Sequence, residues 1–233
     1  MKSKHPYLTE YVPRSGDVVL FRPKYFFEHI ICWLLKSDYS HVGIVDVNRG
    51  DEAHILEQNI DFVPVENRKI SNYIKDRELL VLRCPYLTRW TRNKIISIFQ
   101  RLQAAHYSYR DAFRIALRKL FKISDDDVEY TYLFLNPTTG RWLITARVYL
   151  SNRCKDFAYE IRDRYTCSAA IAIAFYVTLA KYINPNEIFN DKPLWYVDPT
   201  DFLNSSHFDV LGLIDKNTRI VSWASANDDD NRT

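Results

Sequence analysis

The run CSAAIAIAFYVTLAKYI, Cys167 to Ile183, constrains this chain more than any other stretch. Apolar side chains fall on almost every helical face, broken only by Ser168, Thr178 and Lys181, so a helix formed here has no face suited to water. The run falls just short of the roughly 18 apolar residues that a membrane-spanning helix requires. It must therefore be buried inside a folded domain, and other elements must cover it. A chain of 233 residues, 47% hydrophobic and 15% aromatic, has the material to do so. That composition predicts one packed domain over residues 1–223, with a polar, disordered tail at 224–233.

The covering elements are legible in part. Gly16-Asp17 marks a turn before the short apolar strand VVLFR. YFFEHIICWLLKS, Tyr25 to Ser37, carries apolar residues at helical spacing. ELLVLRCP, Glu78 to Pro85, is a β-rich run stopped by proline. TRWTRNKIISIFQRLQAAH reads as a helix with Thr88 or Thr91 as cap, and YRDAFRIALRKLFKI as a second amphipathic helix. DPTDFLNSS is a short helix starting near Asp198 or Thr200, and FDVLGLI and RIVSWA are terminal strands. Residues from about 124 to 164 hold two candidate strands around a Pro137–Gly140 turn, and are read as an insertion or lid.

Several function classes recede on composition. The net charge of +3 is too mild to demand nucleic acid, and no nucleic-acid motif is present. Cys32, Cys84, Cys154 and Cys167 form no CxxC pair, so the strong zinc spacings are missing. The first residues lack the apolar core of a signal peptide, which points to reduced thiols and a cytoplasmic location. Arg110, Arg114 and Arg118 share one side of the second amphipathic helix. They could meet anionic headgroups or a phosphate-bearing substrate, although an ordinary solvated face is the plainer reading.

Chemistry is concentrated in DYSHVGIVDVNRGDEAHILEQN. A three-residue loop, Asn48-Arg49-Gly50, closes this hairpin most economically, since glycine suits the left-handed third position. Val47 then opposes Asp51, which sets His41 opposite Glu57 on one sheet face, within hydrogen-bonding reach. A slip of one residue would separate them onto opposite faces. Such a pair supplies a base and its orienting carboxylate but no nucleophile. Cys167 is the candidate: polar residues give way to helix at RYTCSAA, which places its thiol in the first turn, where unpaired N–H groups and the helix dipole favour a thiolate. Cys32 lies in mid-helix and Cys84 at a strand end, positions typical of inert buried thiols. Zinc held by His41, Glu57 and Cys167, or a binding module in which these residues are incidental, are the competing readings.

SGDVVLF, SHVGIV, Glu57 in HILEQN and YTCSAA, in that order, resemble the circularly permuted branch of the NlpC-type, papain-like cysteine peptidase superfamily, most of all its YiiX/YebB-like group. The resemblance spans residues 15 to about 202, except for the stretch between 124 and 164. It implies an α+β fold in which an antiparallel sheet packs against helices, including a buried helix that carries the nucleophile. It also implies a thioester acyl-enzyme on Cys167, with His41 as base and Glu57 as its partner, and no cofactor or metal. Tyr165 is then a candidate oxyanion or substrate contact. An amide or peptide bond is the default target. The acyltransferases related to this branch make a lipid ester the alternative, with peripheral membrane contact.

Overall fold

The computed structural model describes residues 5–47, 52–57, 68–103, 106–107, 130–135, 142–148, 164–180, 182–183, 185–190, 192 and 194–221. Its centre is a six-stranded, antiparallel sheet. Along the chain the strands are β2 (Val18–Phe21), β3 (His41–Asp46), β4 (His54–Leu56), β5 (Arg68–Lys69), β6 (Leu79–Arg83) and β11 (Asp209–Ile214). Their spatial order is β11-β6-β2-β3-β4-β5. A strand β1 (Glu10–Tyr11) pairs in parallel with β12 (Arg219–Ile220). Between the sheet strands stand helices α1 (Phe26–Leu35), α2 (Ile70–Tyr73) and α3 (Arg89–Gln103). The chain continues through β7 (His106–Tyr107), β8 (Tyr130–Leu135), β9 (Trp142–Val148), β10 (Arg164–Tyr165), α4 (Cys167–Leu179) and α5 (Pro199–Asn204). The architecture is α+β.

Burial sorts the strands by residue parity. Val18, Leu20, Val42, Ile44, Leu56, Leu80 and Leu82 join α3 and α4 in the larger core cluster. Val19, Phe21, Val45, Ile55, Leu79 and Val81 form a second cluster with Ile70, Tyr73 and Ile74. Runs such as VVLF are apolar at every position because both faces of the sheet are covered. The same logic explains α4, in which every residue from Cys167 to Tyr176 is buried. Among the described residues no helix is long and apolar enough to cross a membrane.

The hairpin differs from the expected register. Ile44 pairs with Leu56, Val45 with Ile55 and Asp46 with His54, a shift of two residues from the arrangement that a three-residue loop would give. Core packing explains the difference. The observed register sets Ile44 against Leu56 and Val45 against Ile55, where the shorter loop would have opposed them to His54 and Ala53. A shift of two preserves parity, so Glu57 remains on the face of His41. It now lies diagonally from His41, and Gly43, the residue between them on that face, carries no side chain. A Cβ there would stand 2.6 Å from Ile55 Cγ2 and 3.2 Å from the Phe21 ring, so only glycine lets β4 approach this closely.

The other local expectations divide. Helices form over Phe26–Leu35, Arg89–Gln103 and Pro199–Asn204, the second with Thr88 Oγ1 accepting the Thr91 N–H and the third capped by Asp198. The two strands expected around Pro137–Gly140 form β8 and β9, an antiparallel pair. The amphipathic segment with Arg110, Arg114 and Arg118 lies outside the described residues, as do Cys154 and the polar tail.

Candidate active site

Three elements converge at the end of the sheet where β2 finishes and β3 begins. Phe21 and His41 are directly paired there, and their rings pack with centroids 5.1 Å apart. His41 Nε2 lies 3.0 Å from Glu57 Oε2, and both residues are buried. The Cys167 thiol interacts with the same ring. Imidazole and carboxylate share the face of the smaller cluster, whereas the thiol arrives with α4 from the larger one.

The start of α4 is held firmly. Thr166 is its N-cap, its hydroxyl oxygen accepting the Ala169 N–H at 3.2 Å. The Ser168 hydroxyl donates to the Val197 carbonyl at 2.5 Å. The next residue, Asp198, is buried, caps α5, and forms an ion pair with Lys192 at 3.1 Å. Cys167 is thus the first helical residue, as the sequence implies, with its side chain fixed between two anchored neighbours.

Electrostatics single out this thiol. Burial pushes the Cys32 thiol up to about 12 and the Cys84 thiol up to about 11, leaving both protonated at neutral pH. Cys167 is also buried, which acts in the same direction, yet its pKa is lowered by the His41 imidazolium and by the backbone N–H groups of Val42 and Ser168. The dipole of α4 supplies only about 0.3–1 kcal/mol, less than one pKa unit. The histidine therefore decides the sign. In return, burial would lower the His41 pKa, but the Cys167 thiolate and Glu57 overcome it and raise the ring to about 10. The two shifts support each other: the imidazolium favours the thiolate, and the thiolate favours the imidazolium.

Glu57 is itself supported. Burial opposes its charge, and hydrogen bonds from His41 and the Tyr73 hydroxyl, with the positive charge of Arg77, keep its pKa low. Arg77 lies 5.6 Å from the centroid of the Phe21 ring, on whose edge Tyr73 packs, and pairs with buried Glu28 of α1. The sequence did not single out Tyr73 and Arg77: Ile70, Tyr73 and Ile74 fall at helical spacing and face the core, but that spacing does not say which carboxylate Tyr73 meets. Replacing Tyr73 with phenylalanine removes one bond to the carboxylate, so the Glu57 pKa rises and the acid limb of Cys167 reactivity moves to higher pH. Glu57 starts below its ordinary value, and one charge-assisted hydrogen bond is worth about one pKa unit. The loss, up to about tenfold, is therefore expected at about pH 5 and below, read from pH-dependent alkylation. An unchanged acid limb would remove Tyr73 from the site.

The remaining expectations resolve as follows. Tyr165 lies in β10, paired in parallel with Tyr107, two residues before Cys167, and its side chain is outside the described set. Asp17 of the Gly-Asp turn is far from the triad: Arg83 binds it through two nitrogens, each at 2.7 Å. Among the described residues no three His, Cys, Asp or Glu side chains are arranged to hold a metal ion.

No family model matches the chain, and no curated protein matches it. Among solved structures it is similar to the crystal structure of metalloprotein yiiX from Escherichia coli O157:H7, with a TM-score of 0.46 and 14% sequence identity over 87% of this chain and 98% of that one.

Proposed function

We propose that this chain is a cysteine hydrolase of the permuted papain-like type that cleaves an amide or peptide bond through a thioester on Cys167. The observation that carries the reading is the His41–Glu57 contact of 3.0 Å beside Cys167, the first residue of α4, whose thiol interacts with the same ring. The thiolate attacks the carbonyl carbon, forming the C–S bond. The oxyanion is received at the start of α4, where the Cys167 N–H points along the helix axis, with Tyr165 as a second candidate donor. His41 transfers its proton to the departing nitrogen as the C–N bond breaks. Neutral His41 then takes a proton from water, the hydroxide cleaves the thioester, and the acid leaves with the ion pair restored. Glu57 holds the ring throughout.

The pH dependence follows from the two shifted groups. Turnover needs sulfur deprotonated and His41 protonated. It rises with pH through the lowered Cys167 pKa and falls as His41 loses its proton at about pH 10.

p-Nitrophenyl acetate tests the reading without knowledge of the natural substrate. The expected result is rapid acetylation that maps to Cys167 by peptide mass spectrometry, absent in Cys167→Ala and far slower at Cys32 and Cys84. Uniformly slow labelling of all cysteines would favour the non-catalytic binding module.

A further inference from the structure

Helix α1 buries a carboxylate and exposes aromatic rings. Glu28, Cys32 and Leu35, at i, i+4 and i+7, face inward. Phe26, Ile30 and Trp33 repeat that spacing on the opposite side and are 82%, 43% and 70% exposed, with exposed Tyr25 just before the helix. Among the described residues no other element presents three large apolar side chains to water. Such a stripe is costly unless something covers it. The helix cannot hide it by turning over, because both ends are pinned. The Glu28 carboxylate accepts the Lys24 and Tyr25 N–H groups at 2.5 and 3.1 Å and pairs with Arg77 at 3.5 Å. At the other end Lys36 takes the left-handed conformation, the Ser37 N–H returns to the Cys32 carbonyl at 2.9 Å, and Leu35 packs with Tyr196. The face is thus presented on a fixed helix, which lowers the ordering cost of covering it.

Charge and shape indicate what fits there. At the start of the face Lys24 pairs with Asp76 on the surface, and at its end exposed Lys36 and Asp38 stand two residues apart. Each margin offers one cation and one anion, which suits neither a strongly anionic nor a strongly cationic partner. The margins complement each other when a second copy lies antiparallel, because Lys24 and Asp76 then meet Asp38 and Lys36 of that copy. With about 1.5 Å of rise per residue, Phe26 lies about 6 Å to one side of Ile30 and Trp33 about 4.5 Å to the other. A two-fold axis near Ile30 therefore sets the Phe26 ring of each copy beside the Trp33 indole of the other. At about 150–250 Å² for a fully buried aromatic side chain, the exposed parts of Tyr25, Phe26, Ile30 and Trp33 offer on the order of 500 Å² per copy. A standard interface takes roughly 800 Å² per partner. The stripe supplies the apolar centre of such an interface, and the charged margins supply its polar rim.

We propose that the exposed face of α1 pairs with the same face of a second copy of this chain, antiparallel about a two-fold axis near Ile30. One patch paired with itself closes the assembly at two copies. The aromatic anchors sit at the centre, where water is excluded, and the Lys–Asp contacts at the edge fix the direction of the pair more than its strength. The pairing does not depend on the chemistry of Cys167, so failure of either reading leaves the other standing.

Sedimentation velocity of the full chain across a concentration series tests the proposal. The expected result is a reversible dimer with a dissociation constant on the order of micromolar, the weak end for an interface of this size. Phe26→Glu with Trp33→Glu, checked for folding by circular dichroism, should raise that constant about a hundredfold or more, since buried aromatic anchors carry most of the binding. Ile30→Cys keeps both aromatics and should give a disulfide-linked dimer under mild oxidation. Tyr86→Cys, exposed beyond β6 at the opposite end of the sheet, should not. A wild type that stays monomeric up to roughly 100 µM, including one that binds lipid vesicles instead, would overturn the proposal. So would a dimer that the folded double variant leaves intact, or equal cross-linking at residues 30 and 86.

Discussion

His41→Ala lowers the rate of Cys167 acylation by about 10²–10⁴-fold, the range expected for loss of a positioned acid–base group. The expectation does not depend on assuming an enzyme family. Cys32 and Cys84 show what burial does to a thiol in this protein when no cation accompanies it, raising it to about 12 and about 11. Cys167 is as deeply buried, and its helix start offers less than one unit of compensation. Without the imidazolium its pKa climbs above the ordinary value, and the thiolate nearly vanishes at pH 7. Loss of the ring also removes the general acid, so the effect on turnover is at least as large as that on alkylation. Packing is a separate matter: Phe21 loses its neighbour, and circular dichroism should confirm that the fold survives. A His41→Ala protein that keeps its fold and acylates at the wild-type rate would show that the ring does not activate the thiol.

The largest effect on stability is expected at Asp17, 2% exposed and remote from the chemistry. Its carboxylate accepts from Arg83 Nε and Nη2, both at 2.7 Å, from the Tyr11 hydroxyl at 2.7 Å and from the Arg14 N–H at 2.9 Å. Arg83 also donates to the Val12 carbonyl at 2.9 Å, so one guanidinium ties β6 to the segment leading into β2. Asp17→Ala leaves a largely buried cation and a buried phenol without their acceptor, which costs about 3–5 kcal/mol. For a chain of this length that is roughly 6–20 °C in Tm. Urea or thermal unfolding measures it directly. Pairing Asp17→Leu with Arg83→Met should recover most of the loss, because the penalty lies in the unpaired charge rather than in the missing attraction. A loss below about 1 kcal/mol, typical of a surface pair, would contradict the burial assigned to this contact.

How much of this was legible beforehand follows from the range of each interaction. The placement of Cys167 was readable because it is local: polar residues giving way to small apolar ones mark a helix start whatever surrounds it. The His41–Glu57 pairing was readable in parity but not in register. Strand alternation fixes which face a residue takes, whereas the loop length was settled by Ile44, Val45, Ile55 and Leu56 filling both cores. Tyr73, Arg77 and the Asp17–Arg83 pair were not legible, because each reaches its partner across 16 to 66 positions, and periodicity gives the face a side chain takes but not the partner it meets there. The exposed side of α1 was hidden for the opposite reason. FFEHIICWLL is apolar enough to read as a core helix, and only the three-dimensional structure reveals which stripe is left uncovered.

The central claim is that His41 and the start of α4 hold Cys167 as a thiolate. Its most direct test is the rate of iodoacetamide alkylation at Cys167 as a function of pH, followed by peptide mass spectrometry in the wild-type protein. The predicted midpoint lies well below the ordinary thiol value of about 8.5, with Cys32 and Cys84 unreactive across the same range. A midpoint at or above 8.5 would contradict it, leaving Cys167 an ordinary buried thiol beside a structural His–Glu pair.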